Sequence, residues 1–159
     1  MERMAEVKVL FICTGNTCRS PMAEGLFRAA VAKRGLKYEV SSAGIAAMDG
    51  TPMSGHTATL LAEREAEVEE FASRMVDEEM LAEATHVFCM TRGHLEALEV
   101  MFPEFEEKLF LATEFVEIDG VVGRDVGDPI GGGVRIYAEV ADELEAAIEG
   151  ILGFLAVKQ

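Results

Sequence analysis

The chain has 159 residues, half of them hydrophobic, and its 14 basic and 29 acidic residues give a formal net charge of −15. Such a chain is most simply one domain, residues 1–159, with a substantial core, and its charge argues against a nucleic acid or an anionic membrane as partner. It has neither an apolar run of membrane-spanning length nor the apolar core of a signal peptide near its start. We therefore expect a cytoplasmic monomer.

The spacing of the apolar residues predicts strands that are separated by helices. The predicted strands, in chain order, are residues 7–12, 38–42, 85–90 and 108–111. The predicted helices are residues 21–34, 54–64, 77–83, 91–101 and about 136–155. Because strands that alternate with helices form parallel sheets covered on both faces, the sequence predicts an α/β three-layer sandwich with a four-stranded parallel sheet.

The segment between the first predicted strand and the first predicted helix is suited to binding phosphate. It starts at Cys13 and continues through Thr14, Gly15, Asn16, Thr17, Cys18, Arg19 and Ser20. Ser20 is a good N-cap and Pro21 fits the first helical position. Backbone N–H groups at a helix N-terminus favour an anion, and Gly15 and Asn16 tolerate the backbone angles that an anion-binding loop needs.

Two side chains of this loop would act on a bound phosphoryl group. A helix N-terminus and a nearby arginine favour the thiolate form of Cys13, and Arg19 can hold two phosphoryl oxygens with its planar guanidinium. A thiolate beneath a clamped phosphoryl group is arranged for in-line attack and a phosphocysteine intermediate. The alternative is an ordinary strand–loop–helix segment with an incidental cysteine.

The reaction also needs an acid for the leaving group and a base for water, and Asp128 is the candidate. It lies in a glycine-rich segment, and the following Pro129 restricts its backbone to extended angles, which fixes the direction of the side chain. The alternative is that this segment is only a turn before the last helix.

Four segments, in matching order and spacing, resemble the low molecular weight protein phosphatases, which carry the tyrosine phosphatase active-site loop on a flavodoxin-like fold. The segments are residues 13–24, 41–44, 89–91 and 128–129. The resemblance covers the chain from about residue 7 to its end. It implies that Cys13 is the nucleophile, Arg19 the phosphate clamp and Asp128 the general acid. It also implies that Asn16, Ser20 and Ser42 brace the loop through hydrogen bonds.

Two positions bear on the substrate, which the resemblance implies is a phosphorylated protein. Tyrosine-directed members usually have a bulky aliphatic residue at the position of Thr17, and the loop here resembles the bacterial branch that acts on protein phosphoarginine. The Thr17 hydroxyl and the Asp128 carboxylate could accept hydrogen bonds from a guanidinium. The arginine-directed branch tends to have an aromatic residue after Asp-Pro, where this chain has Ile130. A tyrosine phosphatase is therefore the alternative.

The remaining cysteines and histidines suggest no cofactor and no metal. His56, His86 and His94 lack the spacing of metal ligands and are expected to be ordinary helix or strand residues. The related thiol-linked arsenate reductases need two further redox cysteines, and Cys89 could serve as one at best. A phosphate-binding or redox sensor without turnover is a further alternative. Since Cys13 and Cys18 lie on one loop, we also expect a reversible disulfide between them on oxidation.

Overall fold

The structure is a computed structural model that describes residues 6–157. Its strands are β1 (Lys8–Cys13), β2 (Glu39–Gly44), β3 (His86–Cys89), β4 (Leu109–Leu111), β5 (Glu117–Ile118) and β6 (Val121–Val122). Its α-helices are α1 (Arg19–Lys33), α2 (Gly55–Glu63), α3 (Glu78–Glu83), α4 (Arg92–Met101) and α5 (Val134–Ala156), and a 3₁₀-helix spans Pro103–Lys108.

The main sheet has four parallel strands in the order β2-β1-β3-β4. The inner strand β1 pairs with β2 on one side and β3 on the other, so that Phe11 lies opposite both Ser42 and Phe88. The predicted α/β class with a four-stranded parallel sheet is confirmed. Because the carboxyl ends of parallel strands share one edge, the residues that follow these strands are brought together there.

Alternate residues of β1 face two separate hydrophobic clusters. Val9 and Phe11 belong to the larger cluster, which includes the buried faces of α1 and α5, and Phe27 of α1 meets the Phe11 ring at a centroid distance of 5.6 Å. Leu10 and Ile12 belong to the second cluster, on the other face of the sheet. Burial on both faces explains why β1 reads as a continuous apolar run, and it fixes the base of the loop that follows.

The structure corrects the predicted start of the first helix. Helix α1 begins at Arg19 with Cys18 as its N-cap residue, so the prediction of Ser20 as N-cap was wrong. Ser20 is fully buried inside the first turn, where its hydroxyl contacts side chains of the preceding loop. Serine is preferred at the N-cap because its hydroxyl can accept a hydrogen bond from the helix backbone. Here the Ser20 hydroxyl bonds to loop side chains instead.

Sequence patterns did not predict two short elements, the 3₁₀-helix and the β5–β6 hairpin. Each hairpin strand has only two residues, which is too short to show alternation, and Asp119 and Gly120 form the connection with positive φ angles. Within residues 6–157, no helix is both long enough and apolar enough to cross a membrane.

Candidate active site

The predicted phosphate loop joins β1 to α1 at the carboxyl edge of the sheet. Asn16 adopts the left-handed backbone conformation, with a φ of 57°, whereas Gly15 is not among the residues with a positive φ. The adjoining end of β2 lies against the loop, because Ile45 donates its N–H to the Cys13 carbonyl at 3.0 Å. A Cβ atom on Gly44 would lie 2.4 Å from the Thr14 carbonyl oxygen, so this close approach requires glycine.

The Cys13 thiol lies at the base of the loop and has two polar neighbours. The Asn16 backbone N–H donates to Sγ at 3.3 Å, and the Ser20 hydroxyl lies 2.8 Å from the same sulfur. Cys13 is buried, with 2% of its surface exposed. A backbone N–H and a hydroxyl can therefore both donate a hydrogen bond to this sulfur.

A chain of buried hydrogen bonds braces this loop from behind. Asn16 Nδ2 donates to Ser20 Oγ at 2.8 Å and to Ser42 Oγ at 2.9 Å. Ser42 Oγ in turn donates to Glu24 Oε1 at 2.6 Å, and the Arg74 backbone N–H donates to Asn16 Oδ1 at 3.0 Å. The structure thus brings the three predicted bracing residues into one network, and it adds Glu24 and Arg74, whose part in it the sequence reasoning missed.

Arg19, the first residue of α1, lies beside Asp128. Arg19 Nη2 lies 3.8 Å from Asp128 Oδ2, and Arg19 Nη1 donates to the Val126 carbonyl at 2.9 Å. The Arg19 side chain is 8% exposed and that of Asp128 is 48% exposed. Asp128 Oδ1 also accepts the Ile130 backbone N–H at 3.0 Å, which directs the carboxylate. The carboxylate therefore reaches the guanidinium and keeps contact with solvent.

The two predicted specificity positions lie on different segments. The Thr17 hydroxyl lies 3.9 Å from Cys18 Sγ, and the Thr17 carbonyl accepts the Ser54 backbone N–H at 2.8 Å. The Ile130 side chain, next to the Asp128 segment, is 66% exposed. Ile130 thus offers an apolar surface to solvent rather than to the core.

Tyr137 of α5 contacts the loop from the side. Its hydroxyl lies 3.5 Å from Cys18 Sγ, and its ring packs against His56 with a centroid distance of 4.9 Å. Burial and the Cys18 hydrogen bond raise the pKa of the Tyr137 hydroxyl. Tyr137 carries no sequence signal of its own, because an aromatic residue in an amphipathic helix indicates only core.

His94 and Cys89 lie behind the loop. His94 Nε2 is 2.8 Å from Thr14 Oγ1, and burial together with the nearby Arg19 lowers the pKa of His94 to about 4. Cys89 is fully buried at the end of β3, and burial strongly raises the pKa of its thiol. A thiol that stays protonated is a poor nucleophile.

Together these features define a class of site. The Cys13 thiol accepts a backbone N–H of the loop, and the Arg19 guanidinium, at the N-terminus of α1, lies beside the Asp128 carboxylate. Cysteine-dependent phosphoryl transfer requires these groups.

Comparison with known proteins identifies the family. The model of the family "Low molecular weight phosphotyrosine protein phosphatase" matches residues 8–159, and the chain belongs to that family. The predicted family and the predicted enzyme class, a phosphoprotein phosphatase, are thereby confirmed.

Individual relatives fall into two groups. A protein-arginine-phosphatase of Geobacillus stearothermophilus is 39% identical over 152 residues, which cover 96% of this chain and 98% of the relative. A low molecular weight protein-tyrosine-phosphatase of Streptomyces coelicolor is 33% identical and covers 91% of each chain. A solved structure of the YwlE arginine phosphatase, a cysteine-to-serine mutant with a phosphorylated active-site serine, matches with a TM-score of 0.88 and 33% identity, over 96% of this chain and 98% of that one.

Proposed function

We propose that this protein hydrolyses phosphoarginine in proteins through a phosphocysteine intermediate on Cys13. The observation that carries the proposal is the Cys13 thiol, held by the Asn16 N–H and the Ser20 hydroxyl under a loop whose arginine faces a carboxylate. The similarity to protein-arginine phosphatases supports the choice of substrate. The phosphorylated serine in the YwlE mutant supports a covalent intermediate at the corresponding residue.

In the first step, Cys13 Sγ forms a bond to phosphorus while the P–N bond to the substrate guanidinium breaks. Arg19 and the loop N–H groups hold the phosphoryl oxygens, where negative charge is concentrated. Asp128 donates a proton to the leaving nitrogen, so that the arginine side chain departs without developing negative charge.

In the second step, water attacks the phosphocysteine. The Asp128 carboxylate now accepts a proton from that water, the P–O bond forms, and the S–P bond breaks to return Cys13 as a thiolate. The half-exposed Asp128 suits both steps, since it contacts Arg19 and remains accessible to water. One carboxyl group thus serves as acid and then as base.

The substrate choice depends on acceptors for the five N–H donors of a guanidinium. The Thr17 hydroxyl and the acceptor oxygen that Asp128 retains when protonated supply such acceptors, whereas an aliphatic side chain at position 17 would leave guanidinium donors unpaired. A site that hydrogen-bonds its substrate discriminates strongly against ligands that lack the matching groups.

The test compares phosphoarginine and phosphotyrosine peptides of the same sequence in the wild type and in Thr17→Ile. We expect the wild type to prefer phosphoarginine, and Thr17→Ile to shift the ratio of the two kcat/KM values toward phosphotyrosine by about tenfold or more. Cys13→Ser serves as the control for contaminating phosphatases. A wild type that prefers phosphotyrosine, or a ratio that Thr17→Ile leaves unchanged, contradicts the proposal.

A protein tyrosine phosphatase is the second candidate, and the exposed Ile130 favours it. An apolar side chain beside Asp128 suits a phenyl ring better than a guanidinium, and a tyrosine-directed relative aligns over most of the chain. Arsenate reduction has less support, because buried Cys89 lies too deep to act as a mobile redox cysteine.

We also propose that the chain is a single phosphatase domain that works as a monomer in the cytoplasm, with neither nucleic acid nor membrane as partner. All three cysteines are free thiols, which suits a reducing compartment. Sedimentation equilibrium at enzyme concentrations used for kinetics tests the monomer, and a concentration-dependent mass would overturn it.

A further inference from the structure

We propose that His94 is a positioning residue, which fixes the first residue of the phosphate-binding loop by donating a hydrogen bond from its Nε2 to Thr14 Oγ1. The inference rests on the proposed function in one respect: the loop that His94 holds is taken to be the loop that binds the phosphoryl group. His94 itself touches neither the substrate nor Cys13, so its effect is exerted through Thr14.

The fold explains how a residue 80 positions away in the chain reaches this loop. His94 lies in the first turn of α4, and its backbone N–H donates to the Thr91 hydroxyl at 3.1 Å. Since β3 is the neighbour of β1, the N-terminus of α4 and the loop emerge side by side at the same edge of the sheet. The imidazole therefore sits between a fixed helix turn and Thr14, with 5% of the residue exposed.

The burial of the ring determines its tautomer. His94 Nδ1 is buried and has no hydrogen-bond partner among residues 6–157. A proton on Nδ1 would create a buried N–H without an acceptor, which native structures avoid, whereas a proton on Nε2 is bonded to Thr14 Oγ1 at 2.8 Å. The neutral Nε2–H form is therefore favoured.

The surrounding charges also bear on the protonation of the ring. Burial has the largest effect on the pKa of His94 and disfavours the charged ring; the nearby Arg19 also disfavours it, whereas Asp125 and Asp128 favour it. The net result is a pKa of about 4, so the ring is neutral at neutral pH. Its single proton then points at Thr14.

The Nε2–H tautomer of His94 determines how Thr14 can form hydrogen bonds. A hydroxyl group has one proton, and because Thr14 Oγ1 accepts from His94, its own proton is free for another acceptor. Thr14 is exposed and directly follows Cys13 in the chain. His94 thus leaves the Thr14 proton available for a bond to an anion in the loop, and it limits movement of the backbone that follows Cys13.

The test uses two variants of nearly equal size. His94→Gln places an amide N–H₂ near the position of Nε2, and His94→Leu fills the space without a donor. We expect His94→Leu to lower kcat/KM for an aryl phosphate and to weaken competitive inhibition by vanadate by about tenfold, and His94→Gln to remain within about threefold of the wild type. His86→Leu, at the opposite end of β3, controls for destabilisation without contact with the loop.

A measurement on the wild type keeps the inference testable if a variant fails to fold. The ¹⁵N chemical shifts of the histidine ring in the intact protein should report the neutral Nε2–H tautomer at neutral pH. A ring that is protonated at neutral pH or carries its proton on Nδ1 would overturn the inference, as would equal losses in His94→Gln and His94→Leu at equal melting temperature. A wild type without phosphatase activity or vanadate binding would instead refute the proposed function, and the tautomer would still decide the role of His94.

Discussion

The buried, neutral His94 ring should make the stability of the protein depend on pH in a way that one substitution removes. The ring has an ordinary pKa of 6.5 in the unfolded chain and a pKa of about 4 in the folded protein. Between these values the unfolded state binds more protons than the folded state. The contribution of His94 to the free energy of unfolding is therefore fully present above pH 6.5 and is lost as the pH falls toward 4. At 1.36 kcal/mol for each pKa unit, the full loss is about 3 kcal/mol.

The assay is urea unfolding of the wild type and of His94→Gln at about pH 7.5 and about pH 5. Between these two pH values the His94 contribution to the free energy of unfolding should fall by about 2 kcal/mol. Carboxylates that titrate in this range are common to both proteins, so their effects cancel in the difference. We expect the stability advantage of the wild type over the variant to fall by about 2 kcal/mol at the lower pH.

The same advantage at both pH values would refute this reasoning, because it would mean that the ring titrates alike in the folded and unfolded states. An advantage that increases at low pH would show a ring that is protonated in the folded protein, where its partners would be carboxylates such as Asp125 rather than Thr14.

Three further predictions concern the reacting groups. Cys13→Ser should abolish turnover but still bind vanadate, since the loop N–H groups and Arg19 remain; turnover within about tenfold of the wild type would disprove the nucleophile. Asp128→Asn should slow substrates with basic leaving groups by about 10²–10⁴-fold and activated aryl esters far less, and equal losses on both would show that Asp128 only positions its segment. Peroxide should inactivate the enzyme reversibly through a Cys13–Cys18 disulfide, seen by mass spectrometry; sulfonic acid on Cys13 without that link would exclude it.

The sheet and the loop between β1 and α1 could be predicted from local sequence patterns. The apolar run before Cys13 and the helical spacing after Pro21 predict a loop between the first strand and the first helix, and the structure has the loop there. The predicted start of α1 was wrong because Ser20 has the residue type of an N-cap, whereas in the folded protein its hydroxyl accepts a hydrogen bond from Asn16. The preference of serine for the N-cap is overridden where side chains brought close by the fold supply its hydrogen bonds.

The residues behind the loop could not have been predicted in the same way. Arg74 and His94 contact the loop from separate segments, and Glu24 contacts Ser42, which in turn bonds to Asn16 of the loop. In the sequence each of the three looks like an ordinary helix or loop residue. Their positions depend on strand order and register, which put the ends of β1, β2 and β3 together. One sequence without an alignment contains no sign of such long-range pairing.

Hydrogen bonds from the backbone N–H groups of two distant segments hold the loop in place. The loop carbonyls of Cys13 and Thr14 accept the N–H groups of Ile45 and Ala46, and Asn16 accepts that of Arg74. We expect these three amides to exchange with solvent together, through openings that separate the loop from both segments. A ligand that binds the closed loop should slow all three amides by one common factor, which makes them reporters of occupancy that need no turnover.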